Sequence, residues 1–219
     1  MLVIDGKKSD SYQDFKERVF SLTQSLAEDD SFSQVKVVMT DIRPPKISII
    51  PFSKKKIAVV SVYSNLGQLP GQFLKIDNLT GAYKVTEALP VAYKKDWKDG
   101  MATTGVNLLT LFRKKPGIDY DLFLDLWHNG HTPLSLKIHP LWNYNRNVVE
   151  ESLKNEAPNY DGIVEEQVRE ASHLLNPFKF FGNPLMIIPN MIRVYLDVKG
   201  FIDYPSIETY LANEYWIKS

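Results

Sequence analysis

The first half of the chain alternates between strand-like and helix-like patterns of apolar residues. After the short apolar run MLVID, apolar side chains recur every three or four residues at Tyr12, Phe15, Val19, Leu22 and Leu26. This spacing places one apolar stripe along a helix. The valine-rich segments QVKVVM and KKIAVVSVY predict two strands. A short helix after Pro70 and a strand over AYKVTEALPVAY complete the half.

The second half repeats this order of elements after a polar, glycine-containing stretch from Lys94 to Gly105, in which we take 96–105 as a linker. VNLLTLF predicts a strand, and IDYDLFLDLWHNG predicts a helix with Asp119 as its N-cap. Strands are expected over NYNRNVVEESL and DGIVEEQVRE. Pro184 and Pro189 should divide the next apolar segment into short helices, and IETYLANEYWI predicts a final strand.

Each half therefore has the order β-α-β-β-α-β, which is typical of a ferredoxin-like unit. The predicted fold class is α+β, with a tandem of ferredoxin-like units forming a dimeric-type α+β barrel within one chain. An N-terminal ferredoxin-like unit would span 1–95 and a C-terminal one 106–219. Packing the two sheets face to face would bury the open face of each.

Composition and charge exclude several classes of protein. Lys and Arg total 26, and so do Asp and Glu, so no nucleic acid or membrane partner is expected from net charge. Because there is no cysteine, disulfides and thiolate chemistry are excluded. No Gly-x-Gly-x-x-Gly, Gly-x-Ser-x-Gly or His-Glu-x-x-His pattern occurs. With no signal-like or membrane-spanning segment, the expected location is cytoplasmic.

One segment resembles a known family. FRKKPGIDYDLFLDLWHNGHTPL, followed by NYNRN, is similar to the EthD-like family of dimeric α+β barrel proteins. The matching residues are Arg113, Lys115, Pro116, Gly117, Trp127, His131, Pro133, Leu134, Tyr144 and Asn147. Leu126 stands where the family usually has an aromatic residue. YDGIVEE and GFIDYPS fit later parts of the family pattern, so the resemblance covers the C-terminal half.

The resemblance implies a barrel with a pocket and, less specifically, a chemistry. Members of the family usually pair as homodimers, and a homodimer is one possibility for this chain. Some members act in oxidative degradation, and related barrels cyclise, dehydrate or decarboxylate aromatic compounds. The function it implies is a small, cofactor-independent enzyme, of oxidoreductase or lyase/cyclase type, acting on an apolar or aromatic small molecule.

In that hypothesis His131 transfers protons, and five residues bind the substrate: Phe112, Trp127 and Tyr144 shape the cavity, while Arg113 or Asn147 orients a polar substituent. His131 extends the apolar stripe of the predicted helix, so its ring should face inward. Pro133 should bend or stop the helix nearby. The alternative is a non-catalytic binding or assembly module with a structural His131.

The other histidines predict no metal or cofactor. His128 falls on the flank of the helix, where a solvated side chain is the simplest interpretation, and His139 lies in a loop before Pro140. His128 and His131 have a spacing that metal ligands can have on a helix. However, Gly130 and Pro133 interrupt that helix, and no carboxylate completes a ligand motif. We therefore expect no bound metal.

Overall fold

A computed structural model describes residues 1–64 and 69–219, and its eight strands close into a single antiparallel barrel. The order around the barrel is β1-β3-β2-β8-β5-β7-β6-β4, and β4 pairs with β1 to close it. All eight strands overlap the segments predicted as strands from the sequence. They are β1 (Leu2–Asp5), β2 (Gln34–Met39), β3 (Ile57–Tyr63), β4 (Leu79–Val91), β5 (Val106–Phe112), β6 (Leu141–Ser152), β7 (Gly162–Val168) and β8 (Glu208–Lys218).

The helices are α1 (Tyr12–Glu28), α2 (Tyr120–Asp125), α3 (Thr132–Ile138), α4 (Ala171–Leu175), α5 (Pro177–Phe180) and α6 (Ile187–Phe201). Ser11 caps α1 through a reciprocal hydrogen-bond pair with Asp14. Pro189 does not break α6 because it lies in the first turn, where no helical N–H bond is lost. Within the two described ranges, no helix has both the length and the apolar character needed to cross a membrane.

The predicted tandem of ferredoxin-like units, and with it the dimeric-type α+β barrel, is wrong. Strand β2 of the first half pairs with β8 of the second, and β4 pairs with β6. The halves therefore share one closed sheet, rather than stacking two sheets face to face. Pairing of these edges satisfies backbone groups that two separate sheets would leave open. In addition, the helix expected after Pro70 is only a five-residue 3₁₀ turn, Gly71–Lys75.

The inside of the barrel is filled with side chains. Strand residues alternate between its two faces, and one inward set is apolar: Val3, Val38, Ile57, Val59, Tyr83, Leu109, Leu111, Ile163, Tyr210 and Ala212, joined by Tyr160 from the loop before β7. The rest of the interior is polar around Lys36, which forms a buried ion pair with Glu165 and lies 3.8 Å from a Glu214 oxygen. The predicted linker, 96–105, forms the connection from β4 to β5, and its Ala102 pairs with Tyr215 of β8.

Helices cover both halves of the barrel on the outside. In the first half, α1 packs Phe15, Val19 and Leu26 on the outward residues of β1, β2 and β3. In the second half, the helical segments pack on β5, β6 and β7 through a cluster that includes Phe112, Phe123, Trp127, Tyr144 and Phe201. This second layer encloses the cavity described below.

The helical segment after Asp119 does not stop at Pro133. It passes from α2 through a π-helical turn, Leu126–His131, into α3. The Trp127 carbonyl accepts hydrogen bonds from both the N–H and the hydroxyl of Thr132, five residues later. Widening the turn in this way places Pro133 at the start of a new helical segment, where proline is tolerated.

Candidate functional site

A cavity of about 510 Å³ lies between the outer face of the second-half strands and the helices that cover them. This volume is within the range of small-molecule sites. Its walls are mostly apolar or aromatic. The residues from the strands are Leu108, Thr110, Phe112, Tyr144, Val164, Glu166 and Thr209, with Ile207 just before β8. The helical side includes Trp127, His131, Ser135, Met191, Val194, Tyr195, Val198 and Phe201.

Four residues predicted for the site line this cavity together: Phe112, Trp127, His131 and Tyr144. The Phe112 and Trp127 rings pack edge to face, with centroids 5.0 Å apart. Gly162 makes this packing possible, because a Cβ there would lie 2.3 Å from the Phe112 ring and 2.8 Å from the Trp127 ring. The prediction that His131 faces inward is confirmed.

The structure does not bring Asn147 and Arg113 into the site. Tyr144 and Asn147 are three residues apart on β6, and strand alternation sends them to opposite faces. Asn147 is buried, and its amide donates to the Ile163 carbonyl at 3.1 Å. Arg113 is exposed in the turn after β5 and is not among the cavity-lining residues.

His131 is held by two side chains that the sequence analysis did not identify. Its Nδ1–H donates to the Asp197 carboxylate of α6 at 2.6 Å. This bond makes Nε2 an acceptor in the neutral ring, and the Ser135 hydroxyl lies 3.0 Å from it. Ser135 follows His131 by one helical turn, a signal visible in the sequence. Asp197 is 66 residues away, so only the packing of α6 on the π-helical turn reveals it.

Glu166 is a buried carboxyl that lines the same cavity, and the sequence analysis missed it. It lies on β7, next to Leu108 on one neighbouring strand and Tyr144 on the other. Within the described part of the chain, no hydrogen bond to its carboxyl is found. Burial raises the pKa of Glu166 to about 7, and a charge on His131 acts in the opposite direction. The visible signal is the pair Glu165-Glu166 in an apolar strand, which places one carboxyl on each face.

The other two histidines of this region have different environments. The His139 ring stacks on Phe180, with centroids 4.0 Å apart, and its Nδ1–H donates to the Phe180 carbonyl at 2.9 Å. Burial lowers the pKa of His139 to about 4, so it is neutral at physiological pH. His128 is half-buried rather than solvated: its ring contacts Trp127, and burial followed by the charge of Arg146 lowers its pKa.

The side chains of the cavity suit proton transfer better than metal binding. In the described ranges, no group of three or more His, Cys, Asp or Glu residues is placed to hold a metal ion. A carboxyl with a pKa near 7 can both donate and accept protons at neutral pH. An imidazole oriented by a carboxylate can do the same. The two groups extend from opposite walls, Glu166 from the sheet and His131 from the helices.

Comparison with known proteins adds no assignment. No family model matches the chain, and no curated protein matches it either. The similarity to the EthD-like family therefore stays a prediction from the residues between 108 and 147.

Proposed function

We propose that this chain is an enzyme that transfers protons on an apolar small molecule held in the cavity. One observation carries the proposal: Glu166 and His131 face the same apolar cavity from opposite walls. Perturbed carboxyl pKa values in a cleft are typical of acid–base sites. His131 is also the histidine of the EthD-like pattern.

The two groups have complementary roles. The Glu166 carboxylate takes a proton from a carbon next to a carbonyl. His131, held by Asp197, reacts in the form that carries a second proton on Nε2, and it gives that proton through the Ser135 hydroxyl to another atom of the substrate. The proton left on Glu166 is released to solvent and His131 takes one up from solvent, so both groups are restored before the next turnover. Isomerisation, elimination and ring closure all follow this scheme, which is the lyase/cyclase side of the expectation. No finding supports the oxidoreductase type.

The substrate class follows from the walls of the cavity. Phe112, Trp127, Tyr144 and Phe201 give it aromatic surfaces, and the volume of about 510 Å³ suits a molecule with a few fused or linked rings. Burial raises the pKa of the Tyr144 hydroxyl, so Tyr144 stays protonated and adds an uncharged ring to the wall of the cavity. A ketone on an aromatic framework fits these features.

Hydrogen exchange tests the proposal without knowledge of the natural substrate. A panel of aryl ketones is incubated with the protein in D₂O, and exchange next to the carbonyl is followed by proton NMR. We expect accelerated exchange for the ketones that fit, and a loss of about 10² to 10⁴ in rate for Glu166→Gln. The matched control is Glu170→Gln, a carboxylate outside the cavity that is 63% exposed. Equal rates in wild type and Glu166→Gln would contradict the assignment.

A binding protein without catalysis is the second candidate, and one observation favours it. Both ring nitrogens of His131 are engaged by other side chains, as in a structural histidine. Such a protein would bind ketones from the panel, detected by NMR line broadening, without accelerating exchange. The proposal keeps the cytoplasmic location expected from the sequence, which fractionation of cells producing the chain would test.

A further inference from the structure

The opening of the cavity is bordered by apolar side chains that face solvent. Four residues both line the cavity and are 42% to 53% exposed, and they mark its mouth: Ile49, Ile192, Tyr195 and Tyr204. The exposed apolar surface extends from these residues. Ile47, two residues before Ile49, is 93% exposed, and Ile188 and Leu196 lie one helical turn on either side of Ile192.

Leu185, which is 86% exposed, continues this surface beyond the start of α6. We define the apolar rim as Ile47, Ile49, Leu185, Ile188, Ile192 and Leu196. Single exposed apolar residues are common on soluble proteins, but a contiguous group around a cavity mouth marks an interaction site.

The same two segments carry an excess of positive charge. Residues 42–56 contain five basic and no acidic side chains, and of these Lys55 is paired with Asp5 at 2.8 Å. On α6, Arg193 and Lys199 are exposed, while Asp197 is bound to His131. The Lys199 ammonium lies 5.2 Å from the centre of the Tyr195 ring, directly at the mouth. The formal net charge of the chain is zero, so the charge is distributed unevenly and the rim is locally positive.

We propose that the apolar rim docks the chain on the surface of a bilayer that contains anionic lipids, with the cavity mouth facing the membrane. Apolar side chains enter the boundary between headgroups and acyl chains, while nearby basic residues contact the anionic headgroups. An apolar ligand would then pass from the bilayer into the cavity without crossing water. This interaction differs from the expectation based on net charge alone, and it does not depend on the chemistry of His131 and Glu166.

A second copy of the chain is the other occupant that an apolar surface suggests, and the charges disfavour it. Two rims in contact would bring Lys46, Arg193 and Lys199 of one copy close to the same residues of the other. Like charges facing each other across an interface oppose association. An anionic lipid surface is complementary to the same residues.

Vesicle co-sedimentation of the full chain tests the proposal. One set of vesicles is phosphatidylcholine alone, and the other contains phosphatidylcholine and phosphatidylserine in roughly equal amounts. We expect wild type to bind the mixed vesicles about tenfold more tightly than the neutral ones. Ile188→Asp should weaken binding to the mixed vesicles by about tenfold. Lys46→Glu should reduce the preference for mixed vesicles by a similar factor, because binding falls with each basic residue lost.

Matched controls lie at the opposite end of β8. Met101 is 56% exposed, and its neighbour Ala102 pairs with Tyr215. Tyr215 is six residues from Thr209, which lines the cavity, so the control site is roughly 20 Å from it along the strand. Met101→Asp and Lys98→Glu should bind vesicles like wild type. Circular dichroism and thermal melting check that each variant is folded.

Three outcomes would overturn the proposal. The first is wild-type binding that is absent or equal for the two kinds of vesicle. The second is an equal loss of binding in Ile188→Asp and Met101→Asp. The third is a wild-type dimer in light scattering that Ile188→Asp converts to a monomer, with no vesicle binding by either form. That third result would assign the rim to contact between copies.

Discussion

Glu166→Gln should remove a pH dependence from the folding stability of this chain. The carboxyl is buried beside Leu108 and Tyr144, and its pKa is raised to about 7 from 4.5. Between these two pH values the folded chain holds a proton that the unfolded chain has released. Glutamine has nearly the same shape and no charge, so the substitution isolates the cost of the buried carboxylate.

The magnitude follows from the difference between the two pKa values. Each pH unit is worth about 1.4 kcal/mol, so the difference between 4.5 and about 7 amounts to roughly 3 kcal/mol. The folded pKa is higher than the unfolded one, so the stabilisation is complete below pH 4.5. It is lost as the pH rises to about 7. Glu166→Gln should therefore match wild type near pH 4.5 and be more stable by about 3 kcal/mol at pH 8.

Urea unfolding of both proteins at intervals from pH 4.5 to 8 measures this difference. Other titrating groups are present in both chains and cancel in the comparison. Glu170→Gln, at an exposed carboxylate, should give a curve parallel to wild type. A constant difference between wild type and Glu166→Gln over the whole range would refute the reasoning, because it would mean that Glu166 is ionised in the folded state throughout.

Three further predictions concern other titratable groups. His139 should make wild type lose stability as the pH falls from 6.5 to 4, by about 3 kcal/mol. Urea unfolding should show a smaller loss for His139→Gln, and an unchanged loss would contradict the burial argument. Lys36→Met should lower the unfolding free energy by about 3–5 kcal/mol, because it leaves buried carboxylates unpaired. Adding Glu165→Gln to Lys36→Met should recover part of the lost unfolding free energy, as measured by urea unfolding. No recovery would count against the Lys36–Glu165 ion pair. In the ketone-exchange assay, His131→Ala should lower the rate by about 10² to 10⁴, whereas His128→Ala should leave it nearly unchanged. The reverse order would refute the assignment.

The sequence predicts most of the elements and one wall of the site. The strand and helix positions follow from local sequence patterns, and all eight strands are predicted in this way. The spacing of apolar residues along the helix also predicts that His131 faces inward. Pro133 did not end the helix, because a π-helical turn accommodates it, and no local rule predicts such a turn. The sequence analysis wrongly placed Asn147 and Tyr144 in the same cavity. Residues three apart on a strand point to opposite faces of the sheet, so the two side chains are separated.

The remaining parts depend on contacts between distant segments. Asp197 reaches His131 only through the packing of α6. The pKa of Glu166 is raised only because the helices bury its face of β7. Closure of the barrel also depends on contacts between distant segments. The order of elements gives two similar halves, but the pairing of β2 with β8 and of β4 with β6 depends on which strand edges meet.

The position of β8 has a consequence for how the chain is made. This strand pairs with β2 on one side and with β5 on the other, so it joins segments that are synthesised far apart in time. Until residues 208–218 leave the ribosome, the edges of β2 and β5 have no partner, and open edges invite aggregation. Premature termination before β8 would therefore leave two unpaired strand edges on every truncated chain, and these edges could pair with other chains.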